Sequence, residues 1–135
     1  MRSIACFDLD NTLIDRDGAF AAWAKWWVAV VTNGGTVQLG LKLAHTGIGS
    51  AVDFTCISEA VGVRKPDPAI FKHAAERCAA TLDGGWMVGD HPAYDTAGGI
   101  AAGLRTIQVG NRPPESWVAT HRCDSVVAAF PVILG

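Results

Sequence analysis

Short apolar runs alternate with helical stripes along this chain, and the breaks between them fall at Gly, Pro, Asn and Asp. Residues 3–8 read as a strand that ends in acids, and 28–32 form a β-branched run stopped by Asn33-Gly34-Gly35. Residues 53–58, 85–89 and 105–109 give three more strands, and 124–127 a short sixth. Helices fill the intervals. Residues 17–25 have helical character, and 36–45 carry Val37, Leu39, Leu41, Leu43 and Ala44 round much of a helix that Gly47 is placed to end. Asp67-Pro68 offers an N-cap and a first-turn proline. Behind it, Ile70, Phe71, Ala74, Ala75, Cys78 and Leu82 fall on one stripe. Residues 94–102 form a further helix closed by Gly103, and the tail is helix-like apart from Pro131.

Strands that alternate with helices pair in parallel through right-handed crossovers, which predicts a three-layer, Rossmann-like α/β fold with an open, doubly wound, mainly parallel sheet. Ligands in such sheets bind beyond the carboxyl ends of the strands. At 14.2 kDa the folded chain should expose about 6,800 Å² against roughly 20,600 Å² unfolded, which supports one core and not two. Residues 1–135 are therefore expected to form a single domain.

Composition removes several function classes. A formal net charge of −2 gives no electrostatic footprint for nucleic acid. No apolar run approaches the ~20 residues of a membrane span. Asp8 interrupts the first apolar run too early for a secretory signal. The four cysteines lie far apart without a C-x-x-C pair, so reduced thiols and a cytoplasmic location are expected.

The polar residues concentrate where the strands end. Asp8 and Asp10, at i and i+2, would share a face if the strand continued through both, and two like charges there need a cation or a proton. Mg²⁺ suits hard oxygen donors that sit beside a phosphate. Gly89-Asp90 ends the fourth strand with a third acid, Gly89 allowing a tight turn, and Asp95 follows one helical turn on. Lys65, held by Pro66 and Pro68, could neutralise phosphate oxygens and an attacking carboxylate. Thr32-Asn33-Gly34 offers a hydroxyl and successive N–H groups to an anion. His91 reads first as a turn residue and Arg112 as part of a stiff loop.

Four segments in this order resemble the haloacid dehalogenase superfamily of Rossmann-like hydrolases. They are Asp8-Leu9-Asp10-Asn11-Thr12-Leu13, Val30-Val31-Thr32-Asn33-Gly34, Lys65-Pro66-Asp67-Pro68 and Val88-Gly89-Asp90-His91-Pro92-Ala93-Tyr94-Asp95. The resemblance implies a Mg²⁺-dependent phosphomonoester hydrolase acting on a small phosphorylated metabolite. It casts Asp8 as nucleophile, Asp10 as general acid and base, Lys65 as charge balance, and Thr32 and the Asn33 N–H as phosphate ligands. The ion would be held by Asp8, the Asp10 carbonyl and Asp90, with Asp95 in support. A Gly-Asp fourth motif with an acid downstream favours a phosphatase over a 2-haloacid dehalogenase. A different class of alternative is a catalytically impaired core, truncated or serving as a scaffold.

One departure stands out. The branch of closest resemblance inserts a helical cap between the first two motifs, yet Asp8 and Thr32 are 24 positions apart. The cap expected between residues 15 and 28 is thus absent or truncated, and the helix-to-strand passage through 22–28 lacks any turn residue. Phe20, Trp23 and Trp27 fit a helix face on the sheet, whereas Trp26 points elsewhere, either lining an open substrate cleft or standing as apolar surface stranded by a lost cap, and self-association through the exposed active-site face is an expected consequence.

Overall fold

The computed structural model describes residues 2–9, 26–110 and 119–135. Six strands form one sheet: β1 (Ser3–Phe7), β2 (Trp26–Thr32), β3 (Phe54–Ile57), β4 (Thr81–Gly89), β5 (Arg105–Val109) and β6 (His121–Cys123). Their order is β3-β2-β1-β4-β5-β6, and every neighbouring pair is parallel. The chain winds outward from β1 to β3 and then returns to lay β4 on the other side of β1. The winding reverses between β1 and β4, and in sheets of this kind ligands bind beyond the carboxyl ends of the strands at that point.

Both faces of the sheet are buried, so its strands need continuous apolar runs. In β1, Ile4 and Cys6 join one core while Ala5 and Phe7 join the other. The first core takes Ile70, Phe71, Ala74, Ala75 and Cys78 from α4 (Ala69–Cys78). The second takes Leu39 and Leu43 from α1 (Thr36–Thr46), Ile48 from α2 (Ile48–Ala51), and Val126, Ala129, Phe130 and Ile133 from α6 (Val126–Leu134). Two short elements complete the layers: α3 (Ser58–Val61) after β3, and a π turn (Pro92–Thr96) that runs into α5 (Ala97–Ala101) after β4.

Several boundaries differ from expectation. Trp27 is a strand residue, because β2 begins at Trp26 and the two pair with Ile4 and Ser3 respectively. It therefore shares no helix face with Phe20 and Trp23, which lie, like the whole of 10–25, outside the described residues. Helix α4 starts one residue late: Pro68 takes the cap position, and Asp67 Oδ1 accepts the Ala69 N–H at 3.0 Å. Leu82 belongs to β4, not to the α4 stripe. The sixth strand is residues 121–123, and Ser125 instead caps α6, its Oγ accepting Ala128 N–H at 3.2 Å. In α1 only Leu39 and Leu43 are buried, leaving Val37 and Leu41 exposed. The expected single domain with an absent cap concerns 10–25 and so lies outside what the described residues display.

Candidate active site

The parallel register brings the ends of β1, β2 and β4 to one edge. Phe7 faces Val30 on one side and Val88 on the other. Asp8 N–H donates to the Val88 carbonyl at 2.9 Å, continuing the β1–β4 ladder one residue past the strand. Asp8 is thereby fixed beside Gly89-Asp90, and its residue surface is buried. Thr32, the last residue of β2, is buried at the same edge, with Asn33 half-buried after it.

Lys65 enters from the loop between α3 and α4 and is only 2 % exposed. Its Nζ donates to Asp8 Oδ1 at 2.9 Å and to Asp95 Oδ1 at 2.6 Å. The Asn33 side chain clamps the lysine's backbone: Nδ2 donates to the Lys65 carbonyl at 3.0 Å, and Oδ1 accepts the Lys65 N–H at 2.8 Å. A buried ammonium requires such partners, because desolvating it alone would be prohibitive. Burial disfavours the charged lysine, but Asp95 and Asp8 outweigh that and hold its pKa above the ordinary value. Burial likewise pushes the Asp8 carboxyl up to about 6 against the pull of Lys65, with Asp95 and Asp90 adding to the rise.

Asp95 stands on the π turn, and both its oxygens are engaged: Oδ1 by Lys65 and Oδ2 by the His91 N–H at 3.1 Å. It packs against bare backbone. A Cβ on Gly89 would lie 2.2 Å from Asp95 Oδ2, so the glycine is needed for close approach. This corrects the reading of Gly89 as a turn residue, since its φ is not positive. Gly98 serves the same end, a Cβ there meeting Pro66 Cα at 3.0 Å.

Asp8, Asp90 and Asp95 each offer a carboxylate oxygen, and these atoms lie within 4.8 Å of one another. Three carboxylates against one ammonium leave two negative charges, and the donors are all hard oxygens. That set fits a divalent cation of the Mg²⁺ type. Of the expected site residues, Asp8, Lys65, Asp90 and Asp95 converge, and Thr32 and Asn33 share their edge. Asp10 and Arg112 lie outside the described residues. The Asn33 clamp and the close packing of Asp95 on Gly89 were not anticipated. Nor was the capture of the Gly34 N–H by Ser58 Oγ at 2.9 Å, which takes one donor out of the expected anion nest. The Ser58 and Asn33 bonds join residues 24 or more apart in sequence, so no local pattern announces them. The Gly89 packing rests on interatomic clearance, which sequence does not display.

The HAD-hydrolase-like family model matches residues 62–129, half of the chain, including the Lys65 loop and the Asp90–Asp95 segment. The chain belongs to this family. Among curated HAD relatives, pyrimidine 5'-nucleotidase YjjG of Escherichia coli strain K12 is 41 % identical over 81 residues, 58 % of this chain and 36 % of that protein. Phosphoserine phosphatase of Thermus thermophilus is 34 % identical over 90 residues, 65 % of this chain and 36 % of that one. The matches thus span about a third of these relatives' length. In three dimensions the crystal structure of a 2-haloacid dehalogenase from Pseudomonas syringae pv. Tomato DC3000 superposes with a TM-score of 0.77 at 18 % identity, covering 99 % of this chain and 98 % of that one. At that identity the likeness speaks for the HAD fold alone.

Proposed function

We propose that this HAD-family chain is a Mg²⁺-dependent phosphomonoester hydrolase that acts on small phosphorylated metabolites through an aspartyl-phosphate on Asp8. The observation that carries the reading is the placement of Lys65 Nζ 2.9 Å from Asp8 Oδ1 within the three-carboxylate cluster. A nucleophilic carboxylate needs a neighbouring cation to approach a phosphate dianion, and Lys65 supplies it. Asp8 attacks phosphorus, the bond from phosphorus to the leaving oxygen breaks, and Asp10 gives that oxygen a proton. Asp10 then takes a proton from water as the water attacks the acyl-phosphate, which returns Asp8 to its starting state. Thr32 and the Asn33 N–H hold phosphoryl oxygens, while the Asn33 side chain keeps Lys65 in place. Asp8, the Asp10 carbonyl and Asp90 would hold Mg²⁺, with Asp95 orienting Lys65 beside them. When bound, the ion neutralises phosphoryl charge that the lysine alone leaves unbalanced.

The curated relatives named above carry phosphatase and nucleotidase names, which supports ester over halide chemistry. Only 24 positions separate Asp8 from Thr32. We therefore take the leaving group's contacts to come from loops of the core. The test is release of inorganic phosphate from an aryl phosphate. Turnover should vanish with a chelator and fall about a thousandfold or more in Asp8→Asn. Hydrolysis that survives both changes would overturn the mechanism.

A further inference from the structure

Arg64 precedes Lys65, and its guanidinium reaches across to the loop after β4, where Cζ lies 5.6 Å from the centre of the Tyr94 ring. Tyr94 in turn stacks on His91, with ring centres 4.0 Å apart and planes 12° from parallel. His91 Nδ1 accepts the Tyr94 N–H at 3.1 Å, so the neutral imidazole carries its proton on Nε2. Each member of this stack is the sequence neighbour of a site residue: Arg64 of Lys65, His91 of Asp90, and Tyr94 of Asp95. The guanidinium is therefore held at the rim of the buried charges. It bridges the two loops that deliver them.

Arg64 is exposed, and among the described residues it has no carboxylate partner. Its contact is with a ring face, which restrains the side chain and leaves its N–H donors to a ligand. Restraint before binding lowers the entropy lost on binding. A planar fork of unsatisfied donors recognises a carboxylate or a phosphate with two parallel hydrogen bonds.

We propose that Arg64, supported by the Tyr94–His91 stack, is a specificity-determining residue that binds a second anionic group on the leaving-group side of the substrate. Preferred substrates are small phosphomonoesters that also bear a carboxylate or a second phosphate. The inference rests on the phosphomonoesterase reading above.

The experiment compares phosphoglycolate with 2-hydroxyethyl phosphate, esters of equal carbon number that differ in the carboxylate. In the presence of Mg²⁺ the unmodified chain favours the acid in kcat/KM by about tenfold or more, mainly through KM. Arg64→Gln brings that ratio close to one, and Arg64→Lys restores part of it. Tyr94 acts by positioning Arg64, so Tyr94→Phe keeps the ratio and Tyr94→Leu lowers it. Ethane-1,2-diol bisphosphate, as a third substrate, tells which second anion the fork prefers; a preference for either that falls in Arg64→Gln upholds the proposal. A ratio that Arg64→Gln leaves unchanged overturns it.

Binding is read apart from turnover through the ring protons of Tyr94, the single tyrosine of the sequence. Phosphonoacetate shifts them at lower concentration than ethylphosphonate does, and Arg64→Gln removes the difference. If no ester is hydrolysed while this difference persists, the phosphatase reading falls and the anion site stands. Equal titrations with the two phosphonates sink the site itself.

Discussion

The two edges of the sheet handle charge in opposite ways. At the amino edge, Arg2 lies 3.8 Å from the centre of the Trp27 ring and Arg105 lies 4.0 Å from that of Trp86, both arginines being exposed. Ser3 Oγ donates to the Asp83 carbonyl at 2.7 Å, again at the surface. These cations stay at the exposed surface over ring faces, and Arg105 also donates to the Gly84 carbonyl, an arrangement that contributes little net stability. At the carboxyl edge an ammonium is 2 % exposed between two carboxylates, with a third close by. Desolvated charges of that kind are a poor way to stabilise a fold, and their concentration at one edge marks a site built for chemistry.

The sharpest way to break this contrast is to remove one cation from each edge. Lys65→Met leaves Asp8 and Asp95 without their partner, and urea unfolding at pH 7 should register a loss of about 3–5 kcal/mol. Arg105→Met should lose no more than about 1 kcal/mol. Equal losses would erase the distinction between the edges.

A smaller effect follows from Asp8. Its carboxyl titrates near 6 in the folded chain against an ordinary value of 3.8, so between those values the folded state keeps a proton that the unfolded state has lost. The stabilisation is present below about pH 4 and disappears as pH rises through 6, on the order of 2–3 kcal/mol for this one group. Lys65 stays charged throughout that window, its pKa being raised, and its own contribution is lost only in strong alkali. Metal-free unfolding curves should show this decline, and Asp8→Asn should flatten it. Mg²⁺ binding near pH 5.5 should also release a proton that is no longer released at pH 8. Calorimetry in buffers of different ionisation enthalpy measures it.

The smallest pair compares two glycines of β4. Gly89→Ala drives a methyl into Asp95 and should lower stability by about 1–3 kcal/mol while abolishing phosphate release. Gly84→Ala, near the other edge at φ +71 with only Ser3 Oγ at 3.5 Å, should lose about 1 kcal/mol from backbone strain and keep turnover. If both behave alike, the close approach at Gly89 has no functional weight.

The sequence patterns that translated best were those governed by near neighbours. The α4 stripe from Ile70 to Cys78 is buried as its spacing required, and Gly47 ends α1 at φ +75. Boundaries failed where long-range pairing overrode local preference. Trp26 and Trp27 join β2 because β1 offers a ladder to extend, and 121–123 pair with β5 although the local pattern favoured 124–127. At the site, Asp8, Asp90, Asp95 and Lys65 were visible as acids and a lysine near strand ends. The Asn33 clamp was invisible, since it spans 32 positions and neither end has a local signature.

By itself, then, the sequence determined the alternation of elements, the parallel fold class and the inventory of chemical groups, because apolar period and turn residues act over a few positions. Tertiary structure alone decided which oxygens meet Lys65, how far Asp8 is desolvated, and that Gly89 exists to admit Asp95. Those outcomes depend on the relative placement of strands remote in the chain, and electrostatic energy changes steeply with the ångströms and the buried volume that only such placement sets.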